Sequence, residues 1–393
     1  MTTVAPFTTD PIRVIDMDSH YTEPPGLWVD RAPARFKDRV PKVVEDEKGS
    51  QSWVIDGNVP FSTLGATAVR VDGTKIEGVG VERNDRFEKM SKAAYDVDAR
   101  LGFLDEHGIY AQIVFPNVSG FGSQRFMEIS DNELRLACAT IYNDHMADIQ
   151  KQSGQRLFPQ ALVPFWDIEQ AMAEVKRARN QLGLTGIVMC DSPHDFDLPS
   201  LDTPEWDPFW SLCEDMNVAV NFHIGSGKIR PRGWSTLGRG DFTAFISVSL
   251  FLDNSKTLTN LIFSGVLLRH PKLKVISVES GIGWVPFLLE SMDYQWHENV
   301  VPEEKRDVWK GILPSELFRR NCYVSFWFER WGPAHTIDMI GEDNVMFETD
   351  FPHPTCLYPE VKEQVAKSLA SLRPEVRQKV LHDTAARVYN LPV

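Results

Sequence analysis

The sequence is short of cysteine and of long apolar runs, and both absences exclude classes of protein. The five cysteines are Cys138, Cys190, Cys213, Cys322 and Cys356. Their odd number, wide spacing and lack of a Cys-x-x-Cys pair argue against a disulfide framework and a cysteine-based zinc knuckle. No stretch is long enough to span a bilayer, and the first residues lack a secretory signal pattern. We therefore expect a cytoplasmic protein with no membrane partner.

Positive charge is also scarce. The chain carries 41 Lys and Arg against 55 Asp and Glu, a net charge of -14, and has no basic stripe. Because phosphate binding depends on clustered Lys and Arg, we expect no nucleic-acid partner. Apolar residues make up 42% of the 393 residues, enough for a large core. This length fits either one large α/β barrel with insertions or two smaller domains.

Eight short apolar runs recur along the chain, each ending in a polar or turn residue. They span 13–20, 109–117, 158–165, 184–191, 218–225, 273–280, 322–329 and 344–351. Near-continuous apolar runs are typical of parallel strands buried on both faces, and helix-like stretches separate these runs. The alternation predicts an α/β fold, a (β/α)8 TIM-type barrel. The alternative is an open doubly wound sheet, but "DMDSHYTEPP" after the first strand is unlike the Gly-rich phosphate turn of that fold.

We interpret residues 1–393 as one barrel domain in which residues 21–108, between the first two strands, form an insertion over the barrel mouth. The segment contains "DEKGSQSWVIDGNVPF", whose turn residues predict a β-hairpin. A second irregular stretch, 225–241, is either a substrate-facing loop or a solvated one.

Ligand-type residues stand where several predicted strands end, which is where a barrel of this type carries its active site. Asp18 and His20 share one side of the first strand, and Asp16, of the same parity, lies deeper in a structural role. Alone, each residue has an ordinary interpretation as a cap, a core histidine, an ion-pair partner or a turn. Together they predict a site for Zn, Mn or Fe. The predicted metal ligands are Asp18, His20, His223, Glu279 and Asp350.

Five segments together carry a family resemblance. They are "IDMDSH", "NFHIG", "RHPKLKVISVESGIGWVPFLLE", "NVMFETDFPHP" and "VRQKVLHDTAARVYNL". The chain resembles, over nearly its whole length, the amidohydrolase-related family of metal-dependent (β/α)8 enzymes. That family includes aminocarboxymuconate semialdehyde decarboxylase and the resorcylate-type decarboxylases. The resemblance implies metal ligands at Asp18, His20, His223 and Asp350, a small-molecule substrate and a homodimer.

The chain departs from the family pattern at two of these positions. Residues 18–20 read Asp-Ser-His where the family has a His-x-His pair, and Glu279 stands where many relatives have histidine. Both changes replace neutral imidazole by carboxylate, which makes the site more anionic and harder. The expected cofactor is one divalent metal ion (Zn, Mn or Fe), with Mn or Fe favoured over Zn and with room for a second metal.

The main functional hypothesis is a metal-dependent hydrolase of a small carbonyl or carboxylate compound. Metal-activated water attacks the substrate, and Asp350 acts as ligand and proton shuttle. Glu279 is a ligand or second base, and His353 is a proton donor, a substrate-binding group or a turn cap. One alternative is a non-oxidative decarboxylase of an aromatic or unsaturated acid, in which Asp350 protonates carbon. Others are a dinuclear Fe/Mn oxygen-dependent hydroxylase and a barrel without activity.

Candidates for substrate binding come from the regions around these strand ends. Arg330 or Lys228 is a candidate partner for a substrate carboxylate. Trp327, in the aromatic stretch "SFWFERWG", is a candidate for contact with an apolar substrate. For Phe326 and Phe328 in that stretch, core packing is an equal alternative.

Overall fold

The computed structural model describes residues 12–76, 84–228, 238–299 and 308–393, and they form an α/β architecture. The strands are β1 (Val14–His20), β2 (Lys42–Glu45), β3 (Gln51–Ile55), β4 (Val59–Ser62), β5 (Ile109–Phe115), β6 (Leu157–Pro159), β7 (Ala161–Leu162), β8 (Gly186–Val188), β9 (Ala219–His223), β10 (Lys274–Val278), β11 (Cys322–Phe326) and β12 (Val345–Phe347). All eight apolar runs contain a strand, so the strand predictions are confirmed. One run, 158–165, contains two short strands separated at Gln160.

Helices separate most of these strands. They are α1 (Val97–His107), α2 (Asn132–Gln152), α3 (Ile168–Arg177), α4 (Asp207–Asp215), α5 (Arg239–Phe263), α6 (Val266–Arg269), α7 (Val285–Asn299), α8 (Pro314–Asn321), α9 (Trp331–Ile340), α10 (Val361–Leu369), α11 (Pro374–Gln378) and α12 (Thr384–Val388). Acidic N-caps start three of them: Asp96 accepts from the N–H of Ala99, Asp131 from that of Leu134, and Asp167 from that of Gln170. No helix among the described residues is both long and apolar enough to cross a membrane.

The parallel strands form two sheets in the orders β1-β5-β6 and β7-β8-β9-β10-β11-β12. The sheets meet at Gln160, whose N–H donates to the carbonyl of Val114 at 2.9 Å. At the other end, Ser19 pairs with Phe351, and the N–H of Asp350 donates to the carbonyl of Asp18 at 3.0 Å. The chain just after β12 therefore lies beside β1. Because the strands are parallel, their carboxyl ends lie at one edge.

Residues 21–108 contain the antiparallel sheet β2-β3-β4, which confirms the predicted hairpin. Asp56 and Gly57 turn the chain between β3 and β4 with φ of 47° and 94°, a left-handed pair that suits a tight hairpin. α1 lies at the end of the same segment and packs against β5. This helix therefore belongs to the strand–helix alternation, and only the part before it can be a separate insertion.

Candidate metal centre

Six ionisable side chains meet at the carboxyl edge of the parallel strands. They are Asp18 and His20 at the end of β1, His223 at the end of β9, Glu279 just after β10, and Asp350 and His353 after β12. None is more than 7% exposed. Groups this deeply buried need partners, because removing charge from water is costly. The structure thus brings together all five predicted metal ligands.

The distances among these side chains suit a shared ion. Nε2 of His20 lies 3.1 Å from Nε2 of His223 and 3.6 Å from Oδ1 of Asp350. Nε2 of His223 lies 3.5 Å from both Oδ2 of Asp18 and Oε2 of Glu279. Two overlapping groups have all their ligand atoms within 4.8 Å of one another. They are Asp18, His20, His223 and Glu279, and His20, Glu279, Asp350 and His353.

The hydrogen bonds of the two histidines leave a donor atom for a cation on each ring. Nδ1 of His20 faces the carbonyl of Pro116 at 2.8 Å, and Nδ1 of His223 faces that of Ile224 at 2.9 Å. Each Nδ1 therefore carries a hydrogen, which leaves a lone pair on each Nε2. Both oxygens of Asp18 lack a hydrogen-bond partner among the described residues. Facing lone pairs and orphaned carboxylate oxygens are the donors that a divalent metal ion satisfies.

The protonation states of the metal-free site follow from burial. Burial raises the pKa of Asp18 well above its ordinary value, and the carboxyl of Asp350 raises it further. Burial also raises the pKa of Glu279 well above its ordinary value, and the carboxyl groups of Asp350 and Asp18 raise it further. Burial lowers the pKa of His20 and brings that of His223 to about 4. Burial therefore favours neutral imidazoles at His20 and His223 and protonated carboxyl groups at Asp18 and Glu279, whereas a bound cation favours carboxylates.

Metal affinity should therefore rise with pH, over a range that lies above the ordinary titration range of a carboxyl group. The raised pKa values mean that the metal-free site binds more protons than the metal-bound site, so binding releases protons and acid opposes it. The histidines stay neutral across this range and do not add to the effect. Calorimetric titration with Mn²⁺ in two buffers of different ionisation enthalpy measures the protons released. A binding constant that is independent of pH would contradict these protonation states.

Two of the carboxylates occupy strained backbone positions. Glu279 and Asp350 have φ of 57° and 58°, in the left-handed region that costs a non-glycine residue about 1 to 3 kcal/mol. Ser325 Oγ lies 3.3 Å from the N–H of Glu279 and accepts from it. Thr355 Oγ1 donates to Oδ2 of Asp350 at 2.6 Å. The first contact holds the backbone of Glu279, and the second orients the carboxylate of Asp350.

Asp16 holds the scaffold beneath the site, as the sequence predicted. Its Oδ1 accepts from the N–H of Thr349 at 2.8 Å, and its Oδ2 accepts from Thr349 Oγ1 at 2.6 Å and Gln112 Nε2 at 2.7 Å. Burial raises its pKa to about 6 against the lowering effect of these bonds. Asp16 thereby ties β1 to the residue that precedes Asp350.

His353 belongs to the same cluster. Its Nδ1 lies 2.9 Å from Oδ1 of Asp350, and its ring stacks on that of His20 with centroids 3.7 Å apart. Nε2 lies 3.4 Å from Oδ1 of Asn117. This position suits either a proton donor or a further ligand.

The three predicted substrate-binding residues differ in burial and in their contacts. Trp327 is fully buried, packs against Phe251 and donates from Nε1 to the carbonyl of Thr355. Arg330 is exposed at the start of α9, and Lys228 is exposed at the end of a described range. Most of the 225–241 loop, residues 229–237, lies outside the described residues. The roles of these three side chains in binding a substrate stay predictions.

Two residues of the loop after β5 lie at the site although sequence reasoning missed them. The ring of Phe121 lies 4.4 Å from that of His223 and 5.0 Å from that of His20. Asn117 contacts His353, and the same strand-end rule that found the ligands could have found it, because it ends the run "IYAQIVFPN". Phe121 stands further into the loop, where no periodic pattern marks it.

Comparisons with known proteins identify the family of this chain. The profile of a family described as amidohydrolase matches residues 15–391. A curated relative, the 2-amino-3-carboxymuconate-6-semialdehyde decarboxylase of Dictyostelium discoideum, is 23% identical over 310 residues, covering 78% of this chain and 79% of that protein.

Solved structures share the fold. An amidohydrolase from Mycobacterium avium subsp. paratuberculosis superposes with a TM-score of 0.71 at 21% identity, covering 96% of this chain and 99% of that one. A dihydroxybenzoic acid decarboxylase from Polaromonas sp., with bound manganese and the inhibitor 2-nitroresorcinol, gives 0.61 at 20% identity, covering 80% and 92%. With the family profile matched over nearly all of its length, this chain belongs to the amidohydrolase family.

Proposed function

We propose that the protein is a metal-dependent, non-oxidative decarboxylase of an aromatic or unsaturated acid. The observation that carries the proposal is the buried Asp350–His353 pair, 2.9 Å apart, beside the ligand cluster. Such a buried pair can deliver a proton to carbon. The curated Dictyostelium relative is a decarboxylase, and so is the Polaromonas protein. Hydrolysis, the main expectation from the sequence, uses the same ligands but has less support from these relatives.

The proposed architecture is a closed (β/α)8 barrel whose mouth is covered by part of residues 21–108. The contacts of Gln160 with β5 and of Phe351 with β1 support closure. Thr67 and Ala68 support the cover, because Thr67 contacts Thr22 at 2.7 Å and Ala68 donates to the carbonyl of Pro352 at 2.9 Å. Such a cover would shield the reacting carbon from water.

The proposed ligands are Asp18, His20, His223, Glu279 and Asp350. Manganese is the favoured metal, since three of the five are carboxylates, which suit harder cations, and the Polaromonas decarboxylase binds manganese. When bound, the ion supplies positive charge that orients the substrate carboxylate and an adjacent oxygen and stabilises developing negative charge.

The chain's own residues move the proton. Thr355 donates to Oδ2 of Asp350, which leaves Oδ1 as the oxygen that faces His353. Asp350 gives a proton to the substrate carbon, the bond to the carboxylate carbon breaks, and its electron pair stays on the protonated carbon as carbon dioxide leaves. His353 then returns a proton to Asp350 and takes one up from solvent. No water is consumed.

The proposal predicts a specific isotope pattern. Manganese-loaded protein, incubated in D₂O with a panel of 2-hydroxybenzoates and unsaturated amino acids, should release carbon dioxide in equal amount to a product with one deuterium at the former carboxyl position. Metal-free protein is the control and should give neither. Turnover that consumes water, incorporates ¹⁸O from labelled water into the product and releases no carbon dioxide would point to hydrolysis instead.

A second candidate function is oxygen-dependent hydroxylation with two metal ions. The observation that favours it is the pair of overlapping ligand groups that share His20 and Glu279, because one ion in each would place two metals side by side. Metal analysis separates the candidates. One equivalent of manganese supports decarboxylation, and two equivalents including iron, with oxygen uptake, support hydroxylation.

A further inference from the structure

Phe121 gives the metal centre an apolar side. Its ring contacts three imidazoles, with centroids 4.4 Å from His223, 5.0 Å from His20 and 5.8 Å from His353. Phe115 also lies near His223, at 5.3 Å, but is fully buried, whereas Phe121 is partly exposed. Of these two rings, Phe121 is therefore the one with surface left for a bound molecule.

The loop that carries Phe121 is held on both sides. Upstream, the buried carboxyl group of Glu23 accepts three consecutive N–H groups of residues 117–119 at 3.2, 2.8 and 3.2 Å. Downstream, Gln124 accepts from the N–H of Gly122 at 2.8 Å and donates to the carbonyl of Gly225 at 2.7 Å. The backbone that carries the ring is thus held before a ligand arrives, so ordering this loop on binding costs little entropy.

A side chain at Gly122 would collide with the carbonyl of Ser226. This close approach packs the loop against the chain that follows His223. The loop of Phe121 is therefore packed against the backbone next to His223, one of the proposed ligands. This packing sets the distance between the Phe121 ring and the metal centre.

We propose that Phe121 is a specificity-determining residue that selects acids with a planar, unsaturated carbon skeleton. This inference rests on the proposed function, since it names how the same site holds the substrate. A carboxylate drawn to the ligand cluster places its own carbon skeleton against the nearest apolar surface. A flat ring gains offset or edge contact with Phe121, and a short aliphatic acid does not reach it. The ring also keeps water from the carbon that receives the proton.

Two acids that both carry a carboxylate and a neighbouring hydroxyl group test this role without relying on activity. Binding of 2-hydroxybenzoate and of glycolate to manganese-loaded protein is measured by calorimetry. We expect Phe121→Ala to weaken 2-hydroxybenzoate binding about tenfold, from lost ring contact and lost burial. Glycolate binding should change less than about twofold, because that acid touches only the metal end. Manganese stoichiometry should be unchanged.

Phe121→Leu keeps most of the apolar volume and so guards against a folding defect. Its affinity for 2-hydroxybenzoate should fall about threefold, because leucine is apolar but not planar. Phe287→Ala is the matched control, since this phenylalanine on α7 is 77% exposed, and it should change nothing. Equal losses for both acids in Phe121→Ala, or no preference of the wild type for 2-hydroxybenzoate, would overturn the inference. A wild type that shows the expected binding pattern but releases no carbon dioxide would refute the proposed function and leave this role of Phe121 standing.

Discussion

Replacing His223 by alanine should abolish metal binding while leaving the fold intact. The fully buried imidazole offers Nε2 to the cluster, 3.1 Å from that of His20 and 3.5 Å from Asp18 and Glu279. Even groups that only support a ligand change metal affinity by roughly 10- to 100-fold, so loss of a ligand should cost roughly 100-fold or more. Metal content after dialysis, by plasma mass spectrometry, measures the effect.

Without metal, the Nε2 lone pairs of His20 and His223 face each other, and the substitution removes one of them. The metal-free fold should therefore tolerate this change. Circular dichroism and thermal unfolding of metal-free wild type and variant check this point. His270→Ala is the matched control: it is also a buried histidine, 3.4 Å from the carboxylate of Asp207 and outside the cluster. The control should keep full metal content. A His223→Ala protein that also keeps it would show that the site assignment is wrong.

Replacing Asp350 by asparagine should remove turnover even when the metal site is saturated. The amide keeps the size of the side chain but cannot give a proton to carbon or take one from His353. General acid catalysis contributes about 100-fold to about 10,000-fold, and kcat at saturating Mn²⁺ should fall within that range. Raising the Mn²⁺ concentration compensates for the weaker ligand and separates binding from proton transfer.

Asp343→Asn provides the control for this experiment. Asp343 precedes β12 by two residues, is exposed and pairs with Lys379 at 3.1 Å, so its loss should leave kcat unchanged. An Asp350→Asn enzyme that is metal-loaded and keeps more than about a tenth of wild-type kcat would show that Asp350 is not the proton donor.

The strand ends account for what the sequence could predict. A parallel strand that is buried on both faces has an apolar sequence. The residue that follows such a strand can therefore be recognised from the sequence alone. Asp18 and His20 share a face because a strand has a period of two, and parallel carboxyl ends meet at one edge. The cluster of His223, Glu279 and Asp350 with these two therefore follows from local rules.

Loop geometry explains what the sequence could not predict. Phe121 reaches the site because Glu23 and Gln124 hold its loop, and those contacts join positions far apart in the chain. The left-handed φ of Glu279 and Asp350 has no local signal, since neither is glycine. The sequence of an aromatic run does not show whether its side chains face a ligand or the core, so the substrate contact of Trp327 also stays a prediction. The homodimer and the substrate contacts of Arg330 and Lys228 stay predictions.

The most direct test of the metal centre is anomalous diffraction at the manganese edge from crystals grown with Mn²⁺. One peak is expected in the cluster, at about 2.0–2.3 Å from Nε2 of both His20 and His223, with carboxylate oxygens completing the shell. A second peak in the cluster would instead favour the dinuclear candidate. Peaks confined to surface carboxylates, with none between the two histidines, would contradict the account.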